Sequence, residues 1–258
     1  MKKPTKQISR IRAARTPAAK PAPRPATRGG AEVPEHLAAL IPGTVKCPKC
    51  GMAQTAVPVT VLRPDDGALG LLFQGTLNLF TCISCGTRFK VESLILYRDD
   101  AKKCLVCYIP EADAGAPQEA EAQVRKIMEG CFGPEVAGEV APQCRLVFRR
   151  QDLVEKIVML RAELDDRLVE YIKYQLYLKR ATELDPRKKA LLYDFSNGDK
   201  EQLAFVVFDR KSGRAESATH VPMALYRELA DACRESDELR GEMTKLFPGM
   251  RVNASGCF

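Results

Sequence analysis

The stretch C-P-K-C-G at residues 47–51 decides how the rest of this sequence is read, because a near copy, C-I-S-C-G, follows at 82–86. In each, two residues separate the cysteines, so a tight turn can aim both sulfurs at one point about 2.3 Å away. The glycines that follow, Gly51 and Gly86, stand where a positive φ turns the next amide toward a sulfur. Each phrase alone reads as half of a metal site. Together Cys47, Cys50, Cys82 and Cys85 offer the four thiolates that structural Zn²⁺ takes in a closed tetrahedron, with a loop of about thirty residues between pairs. An active C-x-x-C dithiol and an iron–sulfur cluster on the same ligands remain open at this point.

Around the pairs, residues 44–111 consist of short β-like runs broken by turns, among them "AQTAVPVTVLRPDDG" and "TRFKVESLILYRDDAKKCLVCYIPE". "RDDAKK" between apolar runs predicts a hairpin turn, and "DDGALGLLFQG" a helical turn or two. A β-rich unit of this size has a marginal core, which a structural metal would staple. The third C-x-x-C, Cys104 to Cys107, lies within a strand-like run and lacks the glycine. Residues three apart on a strand face opposite ways, so these two are expected as buried thiols. Cys131, Cys144, Cys233 and Cys257 are solitary and are expected as buried or free thiols, with simple exposure a second reading for Cys257 near the C-terminus.

Beyond this module the period changes. Residues 118–182 form a helical segment, in which Leu153, Ile157, Leu160, Leu164, Leu168, Ile172 and Leu176 recur at steps of three or four. That predicts one long amphipathic helix, or two meeting near Leu164. Residues 187–236 read as a β-meander, with Asn197–Gly198 as a type I′ turn, plus a helix opening on Pro222. Residues 237–258 are taken as a C-terminal tail. The fold class expected is α+β, a zinc-ribbon-like module followed by a helical and α+β module.

The 258 residues carry a net charge of +7, distributed unevenly. Residues 1–31 hold nine basic side chains (Lys2, Lys3, Lys6, Arg10, Arg12, Arg15, Lys20, Arg24, Arg28) and no acid, leaving −2 for the rest. The segment 1–33, rich in proline and alanine, is expected to be disordered. It is read as a solubility tail, or as a non-specific anchor on nucleic acid or another polyanion.

The sequence has no run of eighteen apolar residues and no secretory h-region, so a soluble, cytoplasmic protein away from membranes is expected. Only His36 and His220 are present, and no P-loop, dinucleotide fingerprint or HExxH occurs. Asp166 and Glu170, four apart, share a helix face with Asp165, Arg161, Arg167 and Lys173 nearby. They are read as a solvated, charge-paired surface rather than a carboxylate metal site.

"KCPKCG", "GTLNLFTCISCG", "LILYRDDAKKCLVCYIPE" and "DLVEKIVMLRAELDDRLVEYIK", in that order, resemble the bacterial and archaeal CpXC domain family, from about Thr44 to Ser236. Ile83 stands where that family's second pair often has proline, and Arg98 where a histidine precedes the aspartate. The resemblance implies metal binding by the cysteine pairs and no particular activity.

The functional expectation is therefore one structural Zn²⁺ on Cys47, Cys50, Cys82 and Cys85, in a binding or adaptor module. Its partner would be a protein, a second copy docked through the long helix, or nucleic acid held through residues 1–31. Two alternatives are carried forward: an enzyme with its active site in the C-terminal module, marked by a pocket at Asp165, Asp166 or His220, and a thiol sensor that loses zinc on oxidation.

Overall fold

The computed structural model describes residues 43–113, 116–197 and 199–258. The expected tail 1–33, His36 and Gly198 of the expected Asn197–Gly198 turn lie outside them.

Two hairpins open the fold, β1 (Thr44–Lys46) with β2 (Ala53–Thr55) and β4 (Leu79–Thr81) with β5 (Arg88–Lys90). They share one pattern. A strand runs straight into a C-x-x-C-G knuckle and returns antiparallel, pairing Lys46 with Ala53 and Thr81 with Arg88. Alternation places Val45 and Phe89 inside and Lys46, Arg88 and Lys90 outside.

Between and after the hairpins the chain builds a four-stranded mixed sheet in the order β3 (Val61–Leu62), β6 (Ile95–Asp99), β7 (Cys104–Tyr108), β8 (Cys144–Val147). The β6–β7 pair is antiparallel, closed by the expected "RDDAKK" turn, where Asp99 accepts the Lys102 amide at 3.0 Å. The outer pairings are parallel.

This sheet is apolar on both faces because helices cover both. On one side α2 (Pro117–Phe132) and α3 (Pro134–Val140) pack Val124, Ile127 and Val140 against Leu105 and Cys107. On the other, α1 (Ala68–Phe73) and α4 (Arg150–Arg161) pack Leu69, Leu72, Leu153 and Ile157 against Cys104, Val106 and Tyr108. Cys104 and Cys107 thus enter opposite cores, as their strand spacing requires. Burial pushes the Cys104 thiol up to about 12 and Cys107 well above its usual range.

The period-3.6 run resolves into two helices, α4 and α5 (Asp166–Lys179), meeting near Leu164. Glu163, at φ 58°, turns the chain, and the Asp165 side chain caps α5 by accepting the Arg167 amide at 2.9 Å. Packed on α5 is an antiparallel three-stranded sheet ordered β11 (Ala215–Pro222), β10 (Gln202–Asp209), β9 (Lys189–Tyr193), with α6 (Met223–Glu235).

The structure corrects three boundaries. Residues 144–147, placed in the helical segment, form β8, because all four positions are buried beside β7 and none can face water. The sheet therefore extends past the expected module end at 111. The expected tail 237–258 is ordered: α7 (Asp237–Leu246) buries Met243, and Phe247, Met250, Val252 and Ala254 are buried beyond it. Its apolar residues at 239, 243, 246 and 247 already follow helical spacing.

Candidate metal centre

The two hairpins form a lobe whose core is small: Val45, Cys47, Ala56, Cys82 and Phe89, with Phe80, Cys85 and Val91 packed around it. So few buried groups cannot hold two hairpins together by apolar burial alone.

Each knuckle is closed by the same two backbone bonds. The amides of Cys47 and Cys82 donate to the carbonyls of Met52 and Thr87, and those of Gly51 and Gly86 donate back to Cys47 and Cys82, at 2.9 to 3.0 Å. Gly51 and Gly86 have φ of 73° and 70°, the left-handed region that admits glycine most readily. The two turns thus aim four sulfurs inward from both sides.

All four Sγ atoms lie within 4.8 Å of one another, with Cys47–Cys85 at 3.7 Å and Cys50–Cys82 at 3.6 Å. Four thiolates at about 2.3 Å from one tetrahedral ion would sit about 3.8 Å apart. The sulfurs are too far apart for disulfides and close enough for a single ion. A cluster of several irons, with each thiolate on a different iron, needs a wider spread. Among the described residues this is the only group of three or more cysteine, histidine or carboxylate ligands so gathered.

The electrostatics of the four sulfurs are uneven. Cys85 is lowered to about 6, first by the Thr87 hydroxyl 3.2 Å away and then by the Thr87 amide. Cys82 is lowered chiefly by the Cys85 amide. At Cys50 the Met52 amide favours the thiolate, but desolvation and the three facing sulfurs outweigh it and raise the thiol to about 11. Four sulfurs this close cannot all ionise against one another, and a divalent cation removes that conflict.

Two side chains that the sequence did not single out fix the geometry. Gln54, buried on β2, donates to the Thr81 carbonyl at 3.1 Å and accepts the Ile83 amide at 3.0 Å, locking the first hairpin to the second knuckle. Arg150, opening α4, donates to the Leu77 and Val91 carbonyls, both at 3.0 Å, and to Glu92 at 2.7 Å, which ties the base of the lobe to the body.

The acidic residues on α5 behave otherwise than expected. Asp166 and Glu170 are charge-paired, but neither faces open solvent. Asp166 takes both arms of Arg145 at 2.7 and 2.8 Å and Lys156 at 2.9 Å. Glu170 accepts Lys156 at 3.2 Å, Lys173 at 3.0 Å and the Ala254 amide at 2.9 Å, and Lys173 continues to Glu155 at 2.6 Å. Lys156, Glu170, Lys173 and Glu155 are all at most 4% exposed. Desolvation pushes Asp166 and Glu170 up, yet their cations outweigh it, and both are lowered. A helical pattern shows which residues share a face but not whether a later segment, here 250–258, covers it.

A cleft of about 390 Å³ meets this chain of charges at Arg145, Lys156, Asp165 and Asp166, and another of about 510 Å³ meets it at Glu155, Glu170 and Lys173. Asp166 accepts three bonds from Arg145 and Lys156, which hold it as the ionised partner of two cations. His220 is exposed on β11 and lines neither cleft. Arg98 pairs with Asp100 and stacks on Phe132 at 4.5 Å. Cys257 is partly buried, its Sγ 3.4 Å from the Leu246 carbonyl, rather than fully exposed.

Fold and site together define a protein with a four-cysteine lobe, able to hold a metal ion, joined to an α+β body. A family model described as CpXC protein matches residues 45–173, half of the chain, and the chain belongs to the CpXC family. The matched span runs from the first hairpin through α4 and most of α5. No curated protein and no solved structure gives a significant match. Among the described residues no helix is long and apolar enough to cross a membrane.

Proposed function

We propose that Cys47, Cys50, Cys82 and Cys85 hold one structural Zn²⁺, and that the lobe so fixed is a binding or adaptor module. The observation that carries the reading is the approach of four sulfurs to within 4.8 Å at the tips of two matching hairpins. Four thiolate donors close a tetrahedral ion and leave no position for water or substrate, which suits a structural ion. The tiny lobe core supplies the need for it. Ten unbridged cysteines suit a reducing compartment such as the cytoplasm.

Elemental analysis of the purified protein tests this, with a Cys47→Ser, Cys82→Ser double variant alongside. One zinc per chain is expected in the wild type and none in the variant, whose lobe unfolds, since structural zinc contributes about 10–16 kcal/mol in finger peptides. Iron in place of zinc, or equal metal in both proteins, overturns the reading.

The thiol-sensor reading has one observation on its side: Cys50 is exposed and thus open to oxidants. Rapid zinc release under stoichiometric peroxide would favour it, and retention of zinc would remove it.

A further inference from the structure

The lobe carries an unusual charge distribution. Its two segments, residues 43–59 and 78–91, contain Lys46, Lys49, Arg88 and Lys90 and no acidic residue. All four cations are exposed, and among the described residues none makes an ion pair or a side-chain hydrogen bond. They are divided evenly, two from each hairpin. Elsewhere cations are commonly matched with acids, as at Arg150–Glu92 and Lys189–Asp209. Of the chain's +7, residues 1–31 supply +9 and the lobe +4, so the remainder is −6. Even allowing for the two negative charges that four thiolates leave on a Zn²⁺, the lobe stays positive.

The same two hairpins carry exposed apolar groups. Ile83, within the second knuckle, is 79% exposed, and Met52, just after the first, is 42% exposed. Ile83 is held out by the Gln54 bond to its amide. A rigid aliphatic tip on a lobe with unpaired cations suits a strand whose phosphates meet the charges and whose unpaired bases rest on the apolar surface. A partner whose negative charge continues would also meet the nine cations of residues 1–31, which precede β1 by a twelve-residue stretch containing Glu32 and Glu35. The basic segment itself has almost nothing apolar to dock on a folded protein, whereas it can track a repeating phosphate backbone. Tethering the two basic regions in one chain raises the effective concentration of each on the same strand.

We infer that the metal lobe is a docking surface for single-stranded nucleic acid, contacted by Lys46, Lys49, Arg88 and Lys90 through phosphates and by Ile83 and Met52 through bases. This rests on the reading of the lobe as a metal-fixed binding module.

The test uses a fluorescein-labelled 20-nucleotide oligo(dT), followed by anisotropy across 50–200 mM salt. Five full-length proteins are compared: wild type, a lobe variant (Lys46→Gln, Lys49→Gln, Arg88→Gln, Lys90→Gln), a variant with the nine cations of residues 1–31 changed to Ser, the two sets combined, and Ile83→Ser in the variant neutral at residues 1–31. Zinc content is measured in each. The variant with the neutral N-terminal segment is expected to keep binding, with log Kobs falling by about 2.8 per decade of salt, the value for four phosphate contacts on a single strand. That is about a 50-fold loss across the range. The combined variant is expected to lose binding, and Ile83→Ser to weaken it with the salt slope unchanged. Absence of binding by the variant neutral at residues 1–31, or no effect of the lobe substitutions in either background, overturns the inference. So does equal affinity for a 20-base-pair duplex or equal competition by polyglutamate. Full zinc content without binding rejects the partner and leaves the metal reading standing, whereas zinc-free wild type rejects the metal reading itself.

Discussion

At the scale of single residues, the metal centre depends on groups that ligate nothing. Gln54 directs both ends of its side-chain amide to the second hairpin, the nitrogen to Thr81 and the oxygen to Ile83. Gln54→Ala leaves the sulfurs untouched but frees the two knuckles to shift relative to each other. Zinc affinity, measured by competition with a chromophoric chelator, is expected to fall about 10- to 100-fold, the usual effect of losing a group that orients ligands. Gly86→Ala acts differently: open space surrounds the new methyl, but φ is 70°, so the cost is about 1 kcal/mol of backbone strain. The cysteines and their glycines were legible in the sequence because knuckle chemistry dictates their spacing. Gln54 was not, since a glutamine on a short strand gives no sign of what it will face across another hairpin.

At the scale of elements, α4 and α5 form a hairpin cemented by charge. The sequence displayed the helices through their apolar steps, and it displayed the acids of α5. It could not show that Lys156 and Lys173 lie at 3% and 2% exposure, because basic side chains on a helix ordinarily reach water. Once buried, every member needs its partners. Lys173→Met leaves Glu155 without a cation and Glu170 with Lys156 alone, and about 3–5 kcal/mol of stability should be lost, measured by urea unfolding. The pH dependence contributed by Asp166 and Glu170 follows from the directions of their shifts, and Glu155, pushed up by burial, contributes in the opposite sense. Asp166 and Glu170 have folded-state values below their unfolded ones, so their stabilisation is fully present above about pH 5 and is lost as pH falls through the folded values. Asp166→Asn removes part of that loss, and its stability should decline less between pH 5 and 2 than the wild type's. A wild type as flat as the variant over that interval would refute the assignment.

At the scale of the whole molecule, long-range closure replaces local pattern. Residues 250–254 were unreadable as structure because they carry no periodic motif. Their role exists only against distant groups: the Met250 carbonyl accepts the Leu146 amide on the free side of β8, and the Ala254 amide satisfies Glu170. The first contact covers a sheet edge that would otherwise offer unpaired backbone to a neighbour. The second completes the coordination of a buried carboxylate. The α+β class was legible because periods of two and 3.6 alternate along the chain. The join between modules was not, because β8 enters a sheet whose other strands lie far earlier in the sequence.

Strand β7 has a further consequence. Its odd and even side chains enter two different cores, with Leu105 and Cys107 on one side and Cys104, Val106 and Tyr108 on the other. It is paired along both edges, by β6 and β8. Releasing any one layer therefore still leaves this strand held by the other. Its amides should be the slowest in the protein to exchange with deuterium, and their exchange free energy should equal that of global unfolding. Amides of the two knuckle hairpins, with a core of five residues, should exchange through a separate, smaller opening that chelation of the metal makes easier while β7 stays protected.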